Sequence, residues 1–250
     1  MRTGVLRTPG GPRFARLEGE QGHLFDRAPW LGGKATGEVA PIEGTLLCPV
    51  SPSKIVCIGR NYAAHAKEMG ADVPAEPMLF LKPPSALLDP GGTVVLPPES
   101  ARVEHEGELV VVIGKRAKYV PKDAALSFVF GYTAACDVTA RDLQRKDVQF
   151  TRGKGFDTFC PIGPWIETEL DPASARLRCI VNGQTRQDDT TAHMIFDVPT
   201  LVAYVSRMMT LEPGDVILTG TPEGVGPLVE GDALEVDIEG IGALKLRVGK

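Results

Sequence analysis

The segment "VEHEGELVVVIGK", Val103 to Lys115, is written in two halves. From Leu109 to Ile113 it is an unbroken apolar run rich in valine, the composition of a strand buried on both faces. Ahead of that run, Glu104, Glu106 and Glu108 occupy alternate positions. Side chains alternate faces along a strand, so residues two apart stand on one side, roughly 7 Å from each other. The segment thus leads carboxylates on one face into a core that rejects unpaired charge. Two readings are open. One is a solvated acidic edge. The other is a set of oxygen ligands for a hard divalent cation, which takes a few carboxylates and keeps water beside them. Asp137, in "TAACDVTARDLQ", stands where a strand gives way to a helix. It is the natural third ligand, or else a further helix cap.

The rest of the composition bounds the class. The chain has 250 residues, 43% of them hydrophobic and 24% charged, enough for one large domain with a small one attached. Its 27 basic and 32 acidic residues give a net charge near −5 and no basic stripe, which excludes a nucleic-acid partner. No apolar run approaches the ~18–20 residues of a membrane span. The start, "MRTGVLRTPGGPRF", has no apolar signal-peptide core. Five cysteines are spread widely without a C-x-x-C pair, so reduced core thiols and a cytoplasmic location are expected. With 28 Gly and 21 Pro, turns are frequent and strands should outnumber long helices.

Outward from the acidic stretch, residues 1 to 50 read as short strand-like pieces forming a small N-terminal module: "TGVLRT", "RFARLEG", "GHLFDRA" and "GTLLCPV". Residues 51 to 250 read as the main unit. It opens with a buried strand, Ile55 to Ile58. A short helix follows in "NYAAHAKEMG", with Asn61 expected as its N-cap and Gly70 as its C-terminal stop. "PMLFLKPPSALL" is a second buried strand. "VPKDAALSFVFGY" reads as a short helix closed by Gly131. "TAACDVTARDLQ" carries a capping-box pattern of Thr139 with Asp142. "FDVPTLVAYVSRMM" is the clearest helix: Asp197 caps it, and Val198, Leu201, Val202, Val205, Met208 and Met209 share its apolar stripe, the Met pair as core filling. The C-terminal segment reads as strands joined by glycine turns. The regular βαβ alternation of a doubly wound sheet or a TIM barrel is missing, which leaves a strand-dominated α+β fold.

Three further constellations each have a plain counterpart. His65 and Glu68 lie three apart on the short helix, where a carboxylate can orient an imidazole as a general base, or both can be surface residues. Lys154 lies between two glycines in "RGKGFDTFCPIGPW". It is either a desolvated cation facing an anion or an exposed loop lysine. Gly220 and Thr221, in "LTGTPEGVG", offer backbone N–H groups and a hydroxyl to a carboxylate, or form an ordinary turn. No Walker-type G-K-[ST] ending is present.

In this order, "KIVCIGRNYAAHAKEMG", "EPMLFLKPPSAL", "EHEGELVVVIGK", "GYTAACDVTARDLQ", "GKGFDTFCPIGPW" and "LEPGDVILTGTPEGVG" together resemble the fumarylacetoacetate hydrolase superfamily over about residues 54 to 248. The nearest branch holds the short acylpyruvate hydrolases, oxaloacetate decarboxylases and 2-hydroxyhepta-2,4-diene-1,7-dioate isomerases. The resemblance implies a mixed β-sandwich roll, a homodimer, and one Mg²⁺ or Mn²⁺ held by Glu106, Glu108 and Asp137. It implies substrate contacts from Arg141, Gln144, Lys154 and the Gly220–Thr221 turn. His65 and Glu68 fall on a segment that closes as a lid, with His65 as base. The implied reaction is hydrolysis of a C–C bond in an acylpyruvate-like keto acid through a metal-stabilised enolate. Oxaloacetate decarboxylation, isomerisation or tautomerisation, and a metal-binding relative without turnover are the alternatives. Glu104 is then a neighbour that adds to the site's charge. One departure is His105, which stands where an aromatic is usual and either backs the ligands or points to the opposite face.

Overall fold

Both faces of the strand Gly107–Ile113 are covered, as its unbroken apolar run requires. In the computed structural model, which describes residues 1–250, Leu109, Val111 and Ile113 point into one core and Val110 and Val112 into another. The first core lies against a five-stranded sheet and includes Leu177, Val236, Leu244 and Leu246. The second includes Ile55, Cys57, Ile162, Ile166 and Val216. Each such aliphatic side chain contributes about 1.5–3 kcal/mol through burial. The strand is therefore a rigid base for the acidic residues at its start.

That strand is central in a large mixed sheet. Its neighbours are Val129–Cys136 and Val216–Leu218, both antiparallel to it. Beyond Val216–Leu218 lies Ile55–Gly59, which runs parallel to it, and then the edge strand Met78–Lys82. Beyond Val129–Cys136 lies Cys160–Glu167. The second sheet orders Gln184–Thr190, Arg176–Val181, Ala233–Ile238, Gly242–Gly249 and Thr93–Val95. The two sheets pack face to face as the expected strand-dominated sandwich.

The N-terminal module is a meander of Arg2–Thr8, Gly11–Glu18, Gln21–Phe25 and Ala35–Pro41. It has a small core of its own, Leu6, Ala15, Leu17 and Leu24. The last strand, "ATGEVAP", is almost wholly exposed and lacks any apolar alternation, which is why its sequence did not announce it. Arg2–Thr8 pairs with Cys160–Glu167, so one sheet runs through the module and the main unit.

Four helices punctuate the strands: α1 (Ala63–Glu68), α2 (Arg141–Lys146), α3 (Thr151–Lys154) and α4 (Val198–Met208). Asp197 caps α4 by accepting from the Thr200 N–H at 2.9 Å, as the sequence suggests. Gly70 takes the left-handed conformation just beyond α1. Other local expectations are corrected. Asn61 does not cap α1. Its side chain is buried, donates to the carbonyls of Thr219 and Phe196, and accepts from the Phe196 N–H. Thr139 and Asp142 form no capping box: Thr139 donates to the Asp137 carbonyl, and Asp142 receives Ser100 and the Ala101 N–H. Long-range partners claim Asn61 and Asp142, and the Thr139 hydroxyl goes to the carbonyl two residues back. Residues Lys122–Phe128 form a 3-10 helix, and Gly131 lies inside the strand that follows. Met208 is 54% exposed, whereas Met209 packs against the core. No helix is long and apolar enough to cross a membrane.

Candidate metal centre and active site

The acidic stretch is broken at Glu106. Val103–His105 leaves the large sheet to pair with Thr139–Ala140 and Gly226–Pro227. The Glu106 carbonyl accepts the Asp137 N–H at 2.7 Å, which draws the two segments together. The alternation of faces survives the break. Glu104 and Glu106 meet the same guanidinium, that of Arg141, while His105 turns the other way to contact Cys179 Sγ at 3.3 Å. His105 thus faces the second sheet and not the ligands, and its burial lowers its pKa.

Glu106, Glu108 and Asp137 are buried, and a carboxylate oxygen from each lies within 4.8 Å of the others. Glu106 is held by Arg141 and by Lys154, whose Nζ is 2.7 Å from it. Lys154 Nζ also reaches Asp137 at 2.7 Å. Burial opposes the charge on Glu106, but Lys154 and Arg141 overcome it and hold the carboxyl well below the usual carboxylate range. The same partners act in reverse on Lys154. Burial would strip its proton, yet Asp137 and Glu106 raise its pKa, so it stays a cation. The exposed-loop alternative for this lysine is thereby set aside. Gly153 allows the placement, because a Cβ there would come within 2.9 Å of the Gln144 backbone nitrogen, where α3 presses on α2.

Glu108 is different. It accepts only the Gly220 N–H, at 2.7 Å, and no side-chain cation reaches it. Burial, then the charges of Asp137 and Glu106, push its pKa well above the ordinary value. A cluster of close, buried oxygen donors with unmatched negative charge suits a divalent cation, which would supply the missing charge. The residues fit such an ion, and oxygen donors serve Mg²⁺ and Mn²⁺ alike. Gly220 is required at its position: its φ is +97°, and a Cβ would lie 2.7 Å from the Asn61 Cβ.

α1 brings His65 over this cluster. His65 is 5% exposed, and its Nδ1 lies 3.0 Å from the Glu68 carboxylate. Glu68 also accepts the Gly224 N–H at 3.0 Å, which ties the helix down onto the 220–226 turn. A cavity of about 270 Å³ has His65, the three carboxylates, Arg141, Gln144, Lys154 and Thr221 in its wall. Gln144 accepts from Arg141 one helical turn away. The Thr221 hydroxyl donates to the Gly107 carbonyl at 2.8 Å and accepts from Gln187 Nε2 at 2.7 Å. Gly220 is not in the wall, since its N–H is donated to Glu108.

Two residues essential to this arrangement escaped the sequence reading. Lys82 is fully buried, with Nζ 2.6 Å from Asp137 and 3.1 Å from the Val138 carbonyl. Its signal was present: a lysine closing the apolar run "MLFLK" is unlikely to be buried without a carboxylate partner. Gln187 is buried too, and joins Gly107, Thr221 and Pro222. It lies in "QTRQDDT", a polar strand in which nothing marks one residue as the buried one.

Residues 54–249 match the family described as Fumarylacetoacetate (FAA) hydrolase C-terminal, and residues 1–49 match that described as Rv2993c-like, N-terminal. The chain is 44% identical to the mitochondrial oxaloacetate tautomerase FAHD1 of Mus musculus, over 78% of this chain and 90% of that protein. It superposes at a TM-score of 0.94 on 5-carboxymethyl-2-hydroxymuconate delta-isomerase from Mycobacterium smegmatis, at 45% identity, covering 100% of this chain and 99% of the other. Fumarylpyruvate hydrolase from Pseudomonas aeruginosa, solved with Mn²⁺ and pyruvate, is 37% identical with a TM-score of 0.75, covering 83% of this chain and 92% of that one.

Proposed function

Because the chain belongs to the fumarylacetoacetate hydrolase family, we propose that its site moves a proton at the carbon next to the keto group of a small 2-oxo acid, interconverting keto and enol forms. The observation that carries this reading is the His65–Glu68 pair standing over the buried triad Glu106, Glu108 and Asp137 in one cavity. A divalent cation held by the triad would polarise the keto oxygen as a Lewis acid. The protein's own groups account for the remainder. Glu68 occupies Nδ1 of His65, which leaves Nε2 to take the proton from carbon and return it elsewhere. Lys154 cannot be the base, because its carboxylate neighbours keep it protonated. Its fixed positive charge instead favours the negative charge that develops on the substrate oxygen. Arg141, Gln144 and Thr221 orient the substrate's carboxylate end. The names of the tautomerase and isomerase relatives support this chemistry.

C–C hydrolysis of an acylpyruvate is the second reading, supported by the relative solved with Mn²⁺ and pyruvate. There His65 would take a proton from water, and the water would attack the distal carbonyl. Decarboxylation of oxaloacetate passes through the same enolate without water and should depend less on His65. The test is a panel of enol oxaloacetate, hydroxyheptadienedioate and acetylpyruvate, each with added Mg²⁺ or Mn²⁺. Enol decay and double-bond migration are followed by ultraviolet absorbance, and pyruvate release by a coupled assay. We expect accelerated tautomerisation that falls about 10²–10⁴-fold in His65→Ala. Undiminished rates in that variant would remove His65 from the chemistry. Bound metal with no turnover across the panel would leave a metal-binding protein.

A further inference from the structure

Lys82 lies outside the cavity wall, yet its ammonium is directed at a member of the triad. The side chain has no exposed surface, and its Nζ is 2.6 Å from Asp137 Oδ1 and 3.1 Å from the Val138 carbonyl oxygen. The proposed chemistry does not use it: Lys82 is neither a ligand nor a group that reaches substrate. Asp137 is the one carboxylate that pairs with it, and the nearest aromatic ring, that of the fully buried Phe159, has its centroid 6.0 Å from Nζ. An ammonium that left Asp137 would therefore be a buried charge without a partner, which costs several kcal/mol by order of magnitude, about 3–5. The ammonium is fixed on Oδ1.

The other two carboxylates are held in the same way, oxygen by oxygen. Arg141 donates to Oε1 of Glu106, and the Gly220 N–H donates to Oε2 of Glu108 at 2.7 Å. One oxygen of each carboxylate is thus committed to a donor with a fixed place in the fold. Glu106 Oε2 and Asp137 Oδ2 remain, each 2.7 Å from the shared Lys154 ammonium, together with Glu108 Oε1. Three carboxylates therefore offer three single oxygens and not three pairs. That number discriminates between hard cations. Ca²⁺ takes roughly six to eight oxygens at 2.3–2.6 Å and often grips a carboxylate by both. Mg²⁺ takes about six at 2.0–2.1 Å and keeps water in several of those places. Three single oxygens leave an octahedral ion three places for water or substrate, and they leave Ca²⁺ short of ligands. Of the three holding donors, Arg141 also lines the cavity and the Gly220 donor is backbone. Lys82 is the side chain that closes an oxygen without facing the cavity.

We propose that Lys82 sets which divalent cation the triad accepts: by closing Oδ1 of Asp137 it keeps that ligand to one oxygen, so the site takes Mg²⁺ or Mn²⁺ and discriminates against Ca²⁺. This rests on the triad being a metal site, as in the proposed function, and adds the residue that selects the ion. Lys82 is a positioning residue that acts through Asp137. A merely structural role would weaken the binding of all these ions alike, whereas opening a second oxygen changes the ratio between them.

The test is titration calorimetry of the full chain with Mg²⁺, Mn²⁺ and Ca²⁺ in turn, without substrate. The wild-type chain should bind Mg²⁺ at least as tightly as Ca²⁺. In Lys82→Met the ratio of Ca²⁺ to Mg²⁺ affinity should rise about ten- to a hundredfold, the range for loss of a group that orients a metal ligand. Both ions carry the same charge, so the missing ammonium acts on them equally and cancels in the ratio. Lys82→Arg, which keeps a charged donor for Oδ1, should hold the ratio near the wild-type value. Infrared difference spectra of the wild-type chain on adding Mg²⁺ serve if Lys82→Met does not fold, because carboxylates bound through one oxygen and through two differ in the spacing of their stretching bands. One-oxygen bands are expected. Tighter binding of Ca²⁺ than of Mg²⁺ by the wild-type chain, a ratio unchanged in Lys82→Met, or two-oxygen bands with Mg²⁺ overturns the role of Lys82 and leaves the triad a metal site. Failure of the wild-type chain to bind any of the three ions overturns the metal site itself, and the selection with it.

Discussion

Asp137 is gripped from two sides, by Lys82 at one oxygen and Lys154 at the other. Buried carboxylates held this way lose little further freedom on meeting a cation, which is the physical meaning of a prepared ligand set. Glu106 is fixed likewise, between Arg141 and Lys154. Glu108 supplies the charge that these cations leave unmatched. Replacing Glu106 or Asp137 by Ala should abolish Mn²⁺ binding in calorimetric titration of the purified chain. Full Mn²⁺ occupancy in either variant would dismiss the ligand assignment. Folding is checked in the same samples by urea unfolding, because removing one member of a buried charge network costs about 3–5 kcal/mol.

The elements that carry the site enter it side by side, and one aspartate joins their starts. Ile55–Gly59 and Val216–Leu218 run parallel, and Asp215 sits directly ahead of the second. Its carboxylate accepts the Ser53 and Glu212 N–H groups at 2.8 Å and pairs with Lys54. Burial works against its charge, but Lys54 and these donors prevail and lower its pKa. A depressed carboxylate pKa stabilises the fold fully above the unfolded value, about 3.9 for Asp. That contribution drains away as pH falls through the folded value. Asp215→Asn should therefore unfold at lower urea than the wild type at pH 7, by roughly 1–3 kcal/mol. The gap should narrow progressively below about pH 4. A gap that stays constant from pH 7 to 3 would show that the Asp215 charge does not couple to folding.

At the scale of the whole molecule, the N-terminal module is bound to the main unit by strand pairing and by one aromatic anchor. Trp30 meets Phe14 of the module and Phe130 of the main unit, each with ring centroids 5.2 Å apart and edge-on. The two units therefore share a sheet, and Trp165 of the main unit packs against the module's own small core. The homodimer implied by the family resemblance is a proposal. Light scattering of the purified chain should give twice the chain mass of 26.7 kDa. A mass of one chain across the micromolar range would refute it.

Much of this protein was legible from patterns that span only a few residues. The two-residue period of Glu104, Glu106 and Glu108 and the run Leu109–Ile113 pointed to a strand that presents acids at the edge of a core. The periodicity of Val198–Met208 and the Asp197 cap located α4. Such readings succeed because side-chain direction along a strand or helix is fixed by local geometry. Tertiary structure decided which polar group met which. Asn61, which the sequence offers as a cap, is a long-range anchor, and Thr139 donates to the nearby Asp137 carbonyl instead of capping α2. Lys154, which in sequence reads either as a desolvated cation or as a loop lysine, is a buried bridge; Lys82 is marked in sequence only by closing an apolar run, and Gln187 has no local sign of its role. A buried polar group must find a partner, but it can find one anywhere in the folded chain, so sequence separation says nothing of which.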